Sequence, residues 1–369
     1  MTRWAWADVD LEAVRHNVEF VVAAAAPAAL WANVKADGYG HGAVEISGAA
    51  LRGGATGLCV ALVQEGLALR NAGFDCPILV LSEQPPSELA SAVQAGLDLT
   101  VYSHAQLEAI ATAGGRDHPV HLKIDTGMRR VGAAAEEAVE LAATIASSTA
   151  VRLAGVCTHL AIADEPSDPF TAAQIALFDD VLAALAVAGH EPPLVHAANS
   201  AATLAFPQSR FDMVRAGIAL YGISPSAALD QRAGALRPAL SLRARVSHVK
   251  QVGAGDRISY GLRHRFDHGT TVATLPLGYA DGVPRRLFAS GGEVLINGLR
   301  RPIVGVVTMD QLMVDCGTDA VAVGDEAVLI GEQGGELISA VDWADRLGTI
   351  SYEVLCGISA RIDRRYSVA

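Results

Sequence analysis

Residues 30–42 read LWANVKADGYGHG, a short apolar run that ends on Lys35 and is followed at once by a glycine-rich turn. An apolar run of this length, bounded by glycine, predicts a buried strand of a parallel sheet. Seven further strand-like runs follow within the first 220 residues, separated by alanine-rich segments with helical periodicity. The pattern therefore predicts alternating strands and helices, with Lys35 at the end of the first strand.

The eight predicted strands are Trp31–Ala36, Thr56–Leu62, Ile78–Ser82, Leu97–Tyr102, Val120–Asp125, Leu153–His159, Leu194–Asn199 and Met213–Leu220. Helical patterns lie between most of them, for example at Glu12–Ala25, Gln64–Ala72, Ala134–Ser147 and Ala172–Ala188. Eight alternations over this length predict an α/β fold, a (β/α)8 barrel of the TIM type. A doubly wound open sheet is the structural alternative.

The helical periodicity gives way to strand-like segments after about Pro225. Asn297-Gly298, between two such segments, predicts a hairpin with a type I′ turn. One short helix is expected around Ala340–Leu347. We therefore expect the barrel over residues 1–230 and a separate, mostly β domain over residues 231–369.

Composition excludes several classes of protein. Half of the 369 residues are hydrophobic and 18% are charged, which predicts a large core rather than disorder. The net charge of −12 argues against nucleic acid or an anionic membrane as a partner. No run of 18 uninterrupted apolar residues predicts a membrane span. The apolar stretch at 21–30 follows acidic rather than basic residues, so we do not interpret it as a targeting signal.

Five scattered cysteines occur, and none is in CxxC spacing. This pattern is typical of reduced thiols in a cytoplasmic protein, and it predicts neither a disulfide framework nor a metal site.

Chemically useful residues fall where a barrel places its active site. Catalytic groups lie at the C-terminal ends of barrel strands, where the βα-loops converge. The residues at these predicted ends are Lys35, Lys123, His159, Asn199, Ser200, Arg215 and Gly217. The loops after strands seven and eight commonly hold a phosphate through backbone N–H groups and small hydroxyls, a task that suits Ser200, Gly217 and Ile218.

Lysine is rare in this chain: of 28 lysines and arginines, only Lys35, Lys123 and Lys250 are lysine. A guanidinium does not lose its proton in proteins, whereas a desolvated ammonium can. A lysine kept at a barrel mouth, near a phosphate-type loop, therefore suggests a Schiff base with pyridoxal phosphate (PLP).

Each of these residues also has a plainer interpretation. Lys35 considered alone is a solvated charge, and Lys123 forms an ion pair with a carboxylate as readily as it serves catalysis. His159 is equally well a core histidine, and Arg215 a structural ion-pair partner. Tyr260, in the run ISYGL, is by default a packed aromatic.

Nine motifs in order resemble the bacterial alanine racemase family. They are VKADGYGHG (34–42), HLKIDTGMRRVG (121–132), THLAIADE (158–165), HAANSAAT (196–203), MVRAGIALYG (213–222), ISYGL (258–262), LPLGYADG (275–282), VTMDQLMVD (307–315) and ISYEVLCGI (350–358). The resemblance covers nearly the whole chain. It implies a PLP-bearing barrel followed by a β domain, in a homodimer whose active sites are shared between subunits.

The resemblance also implies a role for each motif residue. Lys35 holds PLP and is one of two bases, and Tyr260 of the opposite subunit is the other. Arg215 faces the pyridine nitrogen, and His159 links it towards Tyr260. The expected phosphate ligands are Tyr39, Ser200, Gly217, Ile218 and Tyr352.

The substrate side is implied in the same way. Arg130, together with the backbone of Met309 from the opposite subunit, binds the substrate carboxylate. Tyr279 narrows the entrance. Lys123 matches a position that many members carry as a carbamate, which orients Arg130.

The expected function is therefore the interconversion of L- and D-alanine, which supplies D-alanine for peptidoglycan. The alternatives are a racemase of serine or other amino acids, a PLP decarboxylase and a non-enzymatic PLP carrier. A decarboxylase normally needs an acidic partner at the pyridine nitrogen, where Arg215 stands. A carrier is typically a lone barrel. From composition and strand count alone, a phosphosugar-binding barrel is expected.

Overall fold

The computed structural model describes residues 3–367. Two compact units make up the chain. The barrel unit contains Glu12–Gly38 and Ala43–Arg237. The β unit contains the chain from Pro238 onward, the short segment Tyr39–Gly42 and the N-terminal strand β1 (Ala5–Asp10).

Eight parallel strands form the barrel. They are β2 (Ala29–Asn33), β3 (Gly57–Val60), β4 (Ile78–Val80), β5 (Asp98–Val101), β6 (His118–Lys123), β7 (Val151–Cys157), β8 (Val195–His196) and β9 (Met213–Ala216). Their order is β8-β7-β6-β5-β4-β3-β2-β9. Arg215 N donates to Ala198 O over 2.9 Å, which links β9 to the segment after β8. The barrel prediction is confirmed, strand for strand, and the open-sheet alternative is wrong.

Helices separate these strands. Their bounds are Leu11–Ala25, Ala43–Arg52, Val63–Asn71, Pro86–Gln94, His104–Thr112, Ala138–Ser147, Phe170–Val187, Ser200–Ala205 and Asp230–Ala233. All four helices predicted from periodicity are present, with ends that differ by a few residues. Buried apolar side chains recur along them at helical spacing, for example Leu141, Ala142 and Ile145, and this spacing is the signal that predicted them.

The helix Phe170–Val187 has the length and apolar composition of a membrane span. It is nevertheless one of the barrel helices, and Ile175, Phe178, Val181 and Leu185 along it are buried in the fold. A core helix passes the same test of length and composition, so this segment is accounted for by the barrel.

The β unit is built on a mixed sheet with the order β11-β14-β17-β16-β15-β18-β10-β1-β20. Its strands after β1 are β10 (Leu240–Arg245), β11 (His248–Val252), β12 (Arg257–Ile258), β13 (His264–Arg265), β14 (Thr270–Leu275), β15 (Glu293–Ile296), β16 (Leu299–Val304), β17 (Leu312–Asp315), β18 (Glu326–Gln333), β19 (Glu336–Ile338) and β20 (Asp363–Ser367). β12 and β13 form a separate two-stranded ribbon.

Local turn chemistry in the β unit is as expected. Asn297 and Gly298 both have positive φ, 55° and 73°, and connect the β15–β16 hairpin, as a type I′ turn requires. The predicted helix is present at Ala340–Leu347, where Ser339 and Asp342 form a capping box. A second short helix, Ser351–Cys356, was not predicted.

The N-terminal strand β1 differs from the expected boundaries, which assigned residues 1–230 to the barrel. β1 pairs antiparallel with β10 and parallel with β20. Ala5, Ala7 and Val9 along it are fully buried and alternate with other residues. Alternation predicts a strand but not its sheet, because both of its partners lie in the C-terminal third of the chain.

Candidate active site

Lys35 follows the first barrel strand and opens an unusual turn. Val34 N donates to Cys59 O, which extends the β2–β3 pairing by one step. Ala36, Asp37, Gly38 and Tyr39 then have φ between 52° and 60°, in the left-handed region. Within the barrel unit, Asp37 Oδ1 accepts from Ala43 N over 2.9 Å. Lys35 is thus held at the C-terminal end of β2 by a turn whose backbone conformation is fixed by side-chain hydrogen bonds.

Arg215 is buried on β9, with 6% of its surface exposed. A buried guanidinium needs partners, because desolvation of an unsatisfied charge is costly. One nitrogen contacts His196 Nδ1, and the other donates to Thr158 O (2.8 Å) and Ala197 O (3.1 Å). That second nitrogen also lies 3.5 Å from His159 Nδ1. The carbonyl groups and imidazoles around it fix the plane of Arg215.

A line of buried polar side chains continues from Arg215 through the barrel. His196 Nε2 lies 2.8 Å from His121 Nδ1, and His121 Nε2 lies 3.5 Å from Asp98 Oδ2. Both imidazoles are fully buried. We call Asp98, His121, His196 and Arg215 the histidine chain. Sequence reasoning missed all of it except Arg215.

The tautomers of the histidine chain follow from Arg215, which can only donate. His196 Nδ1 must then accept, so its Nε2 carries the proton and donates to His121 Nδ1. The proton of His121 is consequently on Nε2, which faces Asp98. Burial, reinforced by the charge of Arg215, lowers the pKa of His196 well below its usual value, so it is neutral.

Gly155 on β7 makes room for His121. A Cβ atom at Gly155 would lie 2.6 Å from His121 Nδ1. The available sequence signal was a histidine on β6 and another on β8, separated in the barrel by a glycine-bearing strand. That signal is weak without the strand register.

The loops after β8 and β9 meet at Ser200. Asn199 caps the helix Ser200–Ala205 by accepting from Ala202 N. Ser200 Oγ accepts from Gly217 N over 2.8 Å and from Ala219 N over 3.4 Å. Ile218 begins the 3₁₀ helix Ile218–Tyr221. Ser200, Gly217 and Ile218, which the sequence assigned to one phosphate-type site, lie close together at the ends of β8 and β9.

Lys123 ends β6 and is 8% exposed. Burial lowers the pKa of its ammonium, and the charges of Arg215 and Arg130 lower it further. Within residues 3–367 it forms no salt bridge with a carboxylate, so the ion pair considered from the sequence is not observed there. The amine of Lys123 therefore loses its proton more readily than the amine of an exposed lysine.

Arg130 lies in a tight turn after β6. Asp125 Oδ1 accepts from Gly127 N and Arg129 N, which organises the turn. A Cβ atom at Gly132 would lie 2.7 Å from Asp125 N, so only glycine permits this approach. Arg129 and Arg130 are both exposed.

His159 follows β7 and lies beside Arg215. Burial is the first cause that lowers the pKa of His159 well below its usual value, and the charges of Arg215 and Lys123 add to it. The imidazole is therefore neutral.

The remaining predicted residues belong to the β unit. The rings of Tyr39 and Tyr352 lie 6.1 Å apart, centroid to centroid. Tyr260 is 74% exposed, Met309 51% and Tyr279 43%. Tyr279 N donates to Thr308 O over 2.9 Å, and Ala280 N donates to Met309 O over 3.1 Å, so the turns that carry Tyr279 and Met309 are joined.

No group of three or more histidine, cysteine, aspartate or glutamate side chains suited to a metal ion occurs among the residues that the structure describes. The polar groups of the barrel mouth are instead nitrogen donors, hydroxyls and backbone amides.

Comparison with known proteins gives matches over both units. The family model for the alanine racemase N-terminal domain matches residues 9–225, and that for the C-terminal domain matches residues 239–366. The chain is 46% identical to the alanine racemase of Symbiobacterium thermophilum, over 99% of this chain and 97% of that protein. It is 47% identical to that of Salinispora tropica, over 97% of each.

Solved structures agree with this result. The crystal structure of alanine racemase from Bacillus anthracis with bound L-Ala-P has a TM-score of 0.95 at 41% identity, covering 100% of this chain and 96% of that one. The alanine racemase from D-cycloserine-producing Streptomyces lavendulae has a TM-score of 0.93 at 40% identity, covering 100% and 98%.

Proposed function

This chain belongs to the alanine racemase family, and we propose that it interconverts L-alanine and D-alanine with PLP as its cofactor. The observation that carries the proposal is the buried Arg215 at the barrel mouth, with its partners His196, Thr158 and Ala197. An arginine held in this way distinguishes racemisation from other PLP chemistry, because it can only donate a hydrogen bond.

The polar groups at the barrel mouth support PLP as the cofactor. The Ser200 hydroxyl and the amides of Gly217 and Ile218 lie together at the ends of β8 and β9, and such groups suit a phosphate. Tyr39 and Tyr352, which contact each other in the β unit, are the proposed phenolic ligands of the same phosphate. Lys35, at the end of β2, would carry the cofactor covalently.

PLP, when bound, supplies an electron sink that acidifies the α-C–H bond of the amino acid. The protein must then remove a proton from one face of the α-carbon and deliver a proton to the other. A single fixed base reaches only one face, so two groups are needed, each alternating as acid and base. Lys35 is the proposed base on one face, and Tyr260 of the partner subunit the proposed base on the other.

Arg215 limits the chemistry to racemisation. Its guanidinium can only donate, so it disfavours a proton on the pyridine nitrogen that it would face. With PLP bound, less negative charge would be withdrawn from the α-carbon, which would disfavour transamination and decarboxylation. The histidine chain supports this role, because His196 is a neutral acceptor that keeps Arg215 in place.

His159 is the proposed link from Arg215 towards Tyr260. Its Nδ1 lies 3.5 Å from an Arg215 nitrogen, and the depressed pKa of His159 keeps it neutral in the presence of that charge. A neutral imidazole can accept from Arg215 on one nitrogen and donate from the other.

Arg130 and the backbone of the partner's Met309 are the proposed ligands of the substrate carboxylate, and Tyr279 narrows the entrance. We propose that Lys123 is carbamylated and orients Arg130. Its neutral amine would add to carbon dioxide, forming an N–C bond and releasing one proton. The depressed pKa of Lys123 supports this proposal, since only an unprotonated amine reacts.

The proposed working unit is a cytoplasmic homodimer with shared active sites, which would supply D-alanine for peptidoglycan. The exposure of Tyr260 and of Met309 supports this assembly, since exposed large apolar side chains often mark an interface. Neither nucleic acid nor a membrane is among the proposed partners.

The test is L-alanine in deuterated buffer with purified protein, followed by chiral separation. D-alanine that carries deuterium at the α-carbon is expected. If the protein racemises serine at a higher kcat/KM than alanine, the alternative of a racemase for serine or other amino acids is favoured. PLP bound without turnover of any amino acid would favour the carrier, and no PLP absorbance would overturn the proposal.

A further inference from the structure

The backbone around Tyr260 is unusual. Tyr260 lies in a 3₁₀ turn, Tyr260–Leu262, between the two strands of the β12–β13 ribbon. Ser259, Gly261 and Leu262 all have positive φ, at 62°, 73° and 47°. Tyr260 is therefore presented by a turn that the L-residues Ser259 and Leu262 do not adopt readily.

Ser259 has the more extreme conformation. Its φ of 62° is combined with a ψ of −177°. This region is essentially restricted to glycine, and another residue stays there only when its surroundings hold it. A serine at this position implies that the side chain contributes something that glycine lacks.

That contribution is a hydrogen bond to a neighbouring segment. Ser259 Oγ donates to Val306 O over 2.7 Å. Leu262 N donates to Ser259 O over 3.0 Å, which closes the turn on itself. A Cβ atom at Gly305 would lie 2.7 Å from Ser259 Cβ, so the glycine lets the two segments approach. We call the Ser259–Val306 bond and the Gly305 contact the serine latch.

The segment behind the latch is buried and leads to Met309. Val306 and Val307 are buried, with 1% and 0% of their surfaces exposed. Thr308 O and Met309 O accept from Tyr279 N and Ala280 N. The latch therefore fixes the Tyr260 turn to the same frame that carries Met309 and Tyr279.

We propose that Ser259 is a positioning residue, which orients the Tyr260 hydroxyl through the serine latch. The inference rests on the proposed function, in which Tyr260 is one of two bases. Alanine at position 259 would pay the same free energy as serine to adopt this backbone conformation. It lacks the hydroxyl that holds the conformation in place, so the turn should relax. Glycine also lacks the hydroxyl but adopts the conformation freely.

The test compares Ser259→Ala and Ser259→Gly with Ser247→Ala. Ser247 is a matched control, because its hydroxyl donates to Thr274 O over 3.0 Å in the same unit. We expect kcat/KM for alanine to fall about 10- to 100-fold in Ser259→Ala, since a displacement of about 1 Å can cost that much. Ser259→Gly should lose less. Ser247→Ala should match the wild type.

Isotope effects separate positioning from general damage. L- and D-alanine have equal free energies, so kcat/KM must be equal in the two directions in every variant. Impaired proton transfer at Tyr260 instead raises the α-deuterium isotope effect for the enantiomer whose proton Tyr260 removes, and lowers it for the other. A merely structural loss of active enzyme changes neither.

The outcomes are distinct. A wild-type enzyme that does not racemise alanine contradicts the proposed function itself. An active wild type, with wild-type rates and isotope effects in Ser259→Ala, overturns the serine latch alone. If Ser259→Ala does not fold, Ser259→Gly decides: opposed changes in the two isotope effects support the latch, and unchanged effects overturn it. If kcat/KM falls further in Ser259→Gly than in Ser259→Ala, the backbone conformation at position 259 is not what strains the alanine variant, and that part of the proposal is overturned.

Discussion

The barrel unit and the β unit hold their candidate site residues in different ways. In the barrel, Arg215 is buried and fixed by side chains and carbonyl groups, including His196. In the β unit, Tyr260 is 74% exposed, and the conformation of its backbone fixes it. The barrel residues are held by an internal network, whereas Tyr260 is held by the backbone of a turn and its side chain is exposed.

This difference has a thermodynamic consequence. Removing a partner from a buried polar network leaves a desolvated group unsatisfied, which costs about 1–3 kcal/mol of stability. Removing an exposed side chain costs little stability. Substitutions in the histidine chain should therefore reduce stability and activity together, whereas substitution of Tyr260 should reduce activity alone.

The largest expected effect belongs to Lys35. Lys35→Ala should lower kcat by about 10⁴-fold or more, since it removes a proposed base and the covalent attachment point of PLP. The absorbance of PLP bound to lysine should also disappear. Lys250→Ala is the control, because Lys250 is an exposed lysine on β11. Equal rates in the two variants would contradict the role of Lys35.

Mixing two inactive variants tests whether the units act across a dimer. Lys35→Ala and Tyr260→Phe each disable every site in their own homodimers. In a mixed dimer with shared sites, one site lacks both groups and the other has both. Mixed after reversible dissociation, the two variants should recover about a quarter of the wild-type activity, because half of the dimers are mixed and each has one intact site.

The control is a mixture of the Lys35→Ala variant with the double variant Lys35→Ala/Tyr260→Phe. No chain in it has Lys35, so no intact site can form. No recovery in the test mixture, with PLP bound, would show that Tyr260 does not act across a subunit boundary. Recovery in the control would show that the regained activity does not come from a restored site.

A smaller effect is expected from the histidine chain. His196→Gln removes the imidazole that accepts from Arg215 and should lower kcat/KM about 10-fold, with a loss of about 1–3 kcal/mol in the free energy of unfolding. His118→Gln is the matched control. His118, on β6, is buried like His196, but its Nε2 contacts Leu97 O and not Arg215. We expect it to retain kcat/KM. Equal kinetic losses in both would mean that His196 acts only through stability.

Sequence reasoning recovered what depends on local patterns. Apolar, strand-like runs that alternate with helical segments predicted eight barrel strands, and Asn297-Gly298 predicted the β15–β16 hairpin. Position along the strands also predicted that Ser200 and Gly217 would meet, because the C-terminal ends of neighbouring barrel strands converge. These inferences need only periodicity, turn chemistry and topology.

Features that depend on register or on distant pairing were not predicted. His121 on β6 and His196 on β8 contact each other only because Gly155, on the strand β7 between them, leaves room for the imidazole of His121. No local pattern encodes the register that places these three residues side by side. The strand β1 joins a sheet whose other strands come from the C-terminal third of the chain. Nothing in the sequence predicts the backbone conformation of Ser259, since that conformation favours glycine and the residue is serine.

Acid should weaken the barrel through its buried histidines. Burial lowers the pKa of His118, His159 and His196 in the folded chain. The unfolded chain binds a proton at each near pH 6.5, so it gains protons that the folded chain does not. Stability should therefore be complete above about pH 6.5 and should fall below it, by at most about 1.4 kcal/mol per pH unit for each histidine, the limit reached where the unfolded chain holds the proton and the folded chain does not. Urea unfolding between about pH 7.5 and pH 5.5 measures this slope. His118→Gln should reduce the slope by the share of one histidine, and an unchanged slope in that variant would contradict the assignment.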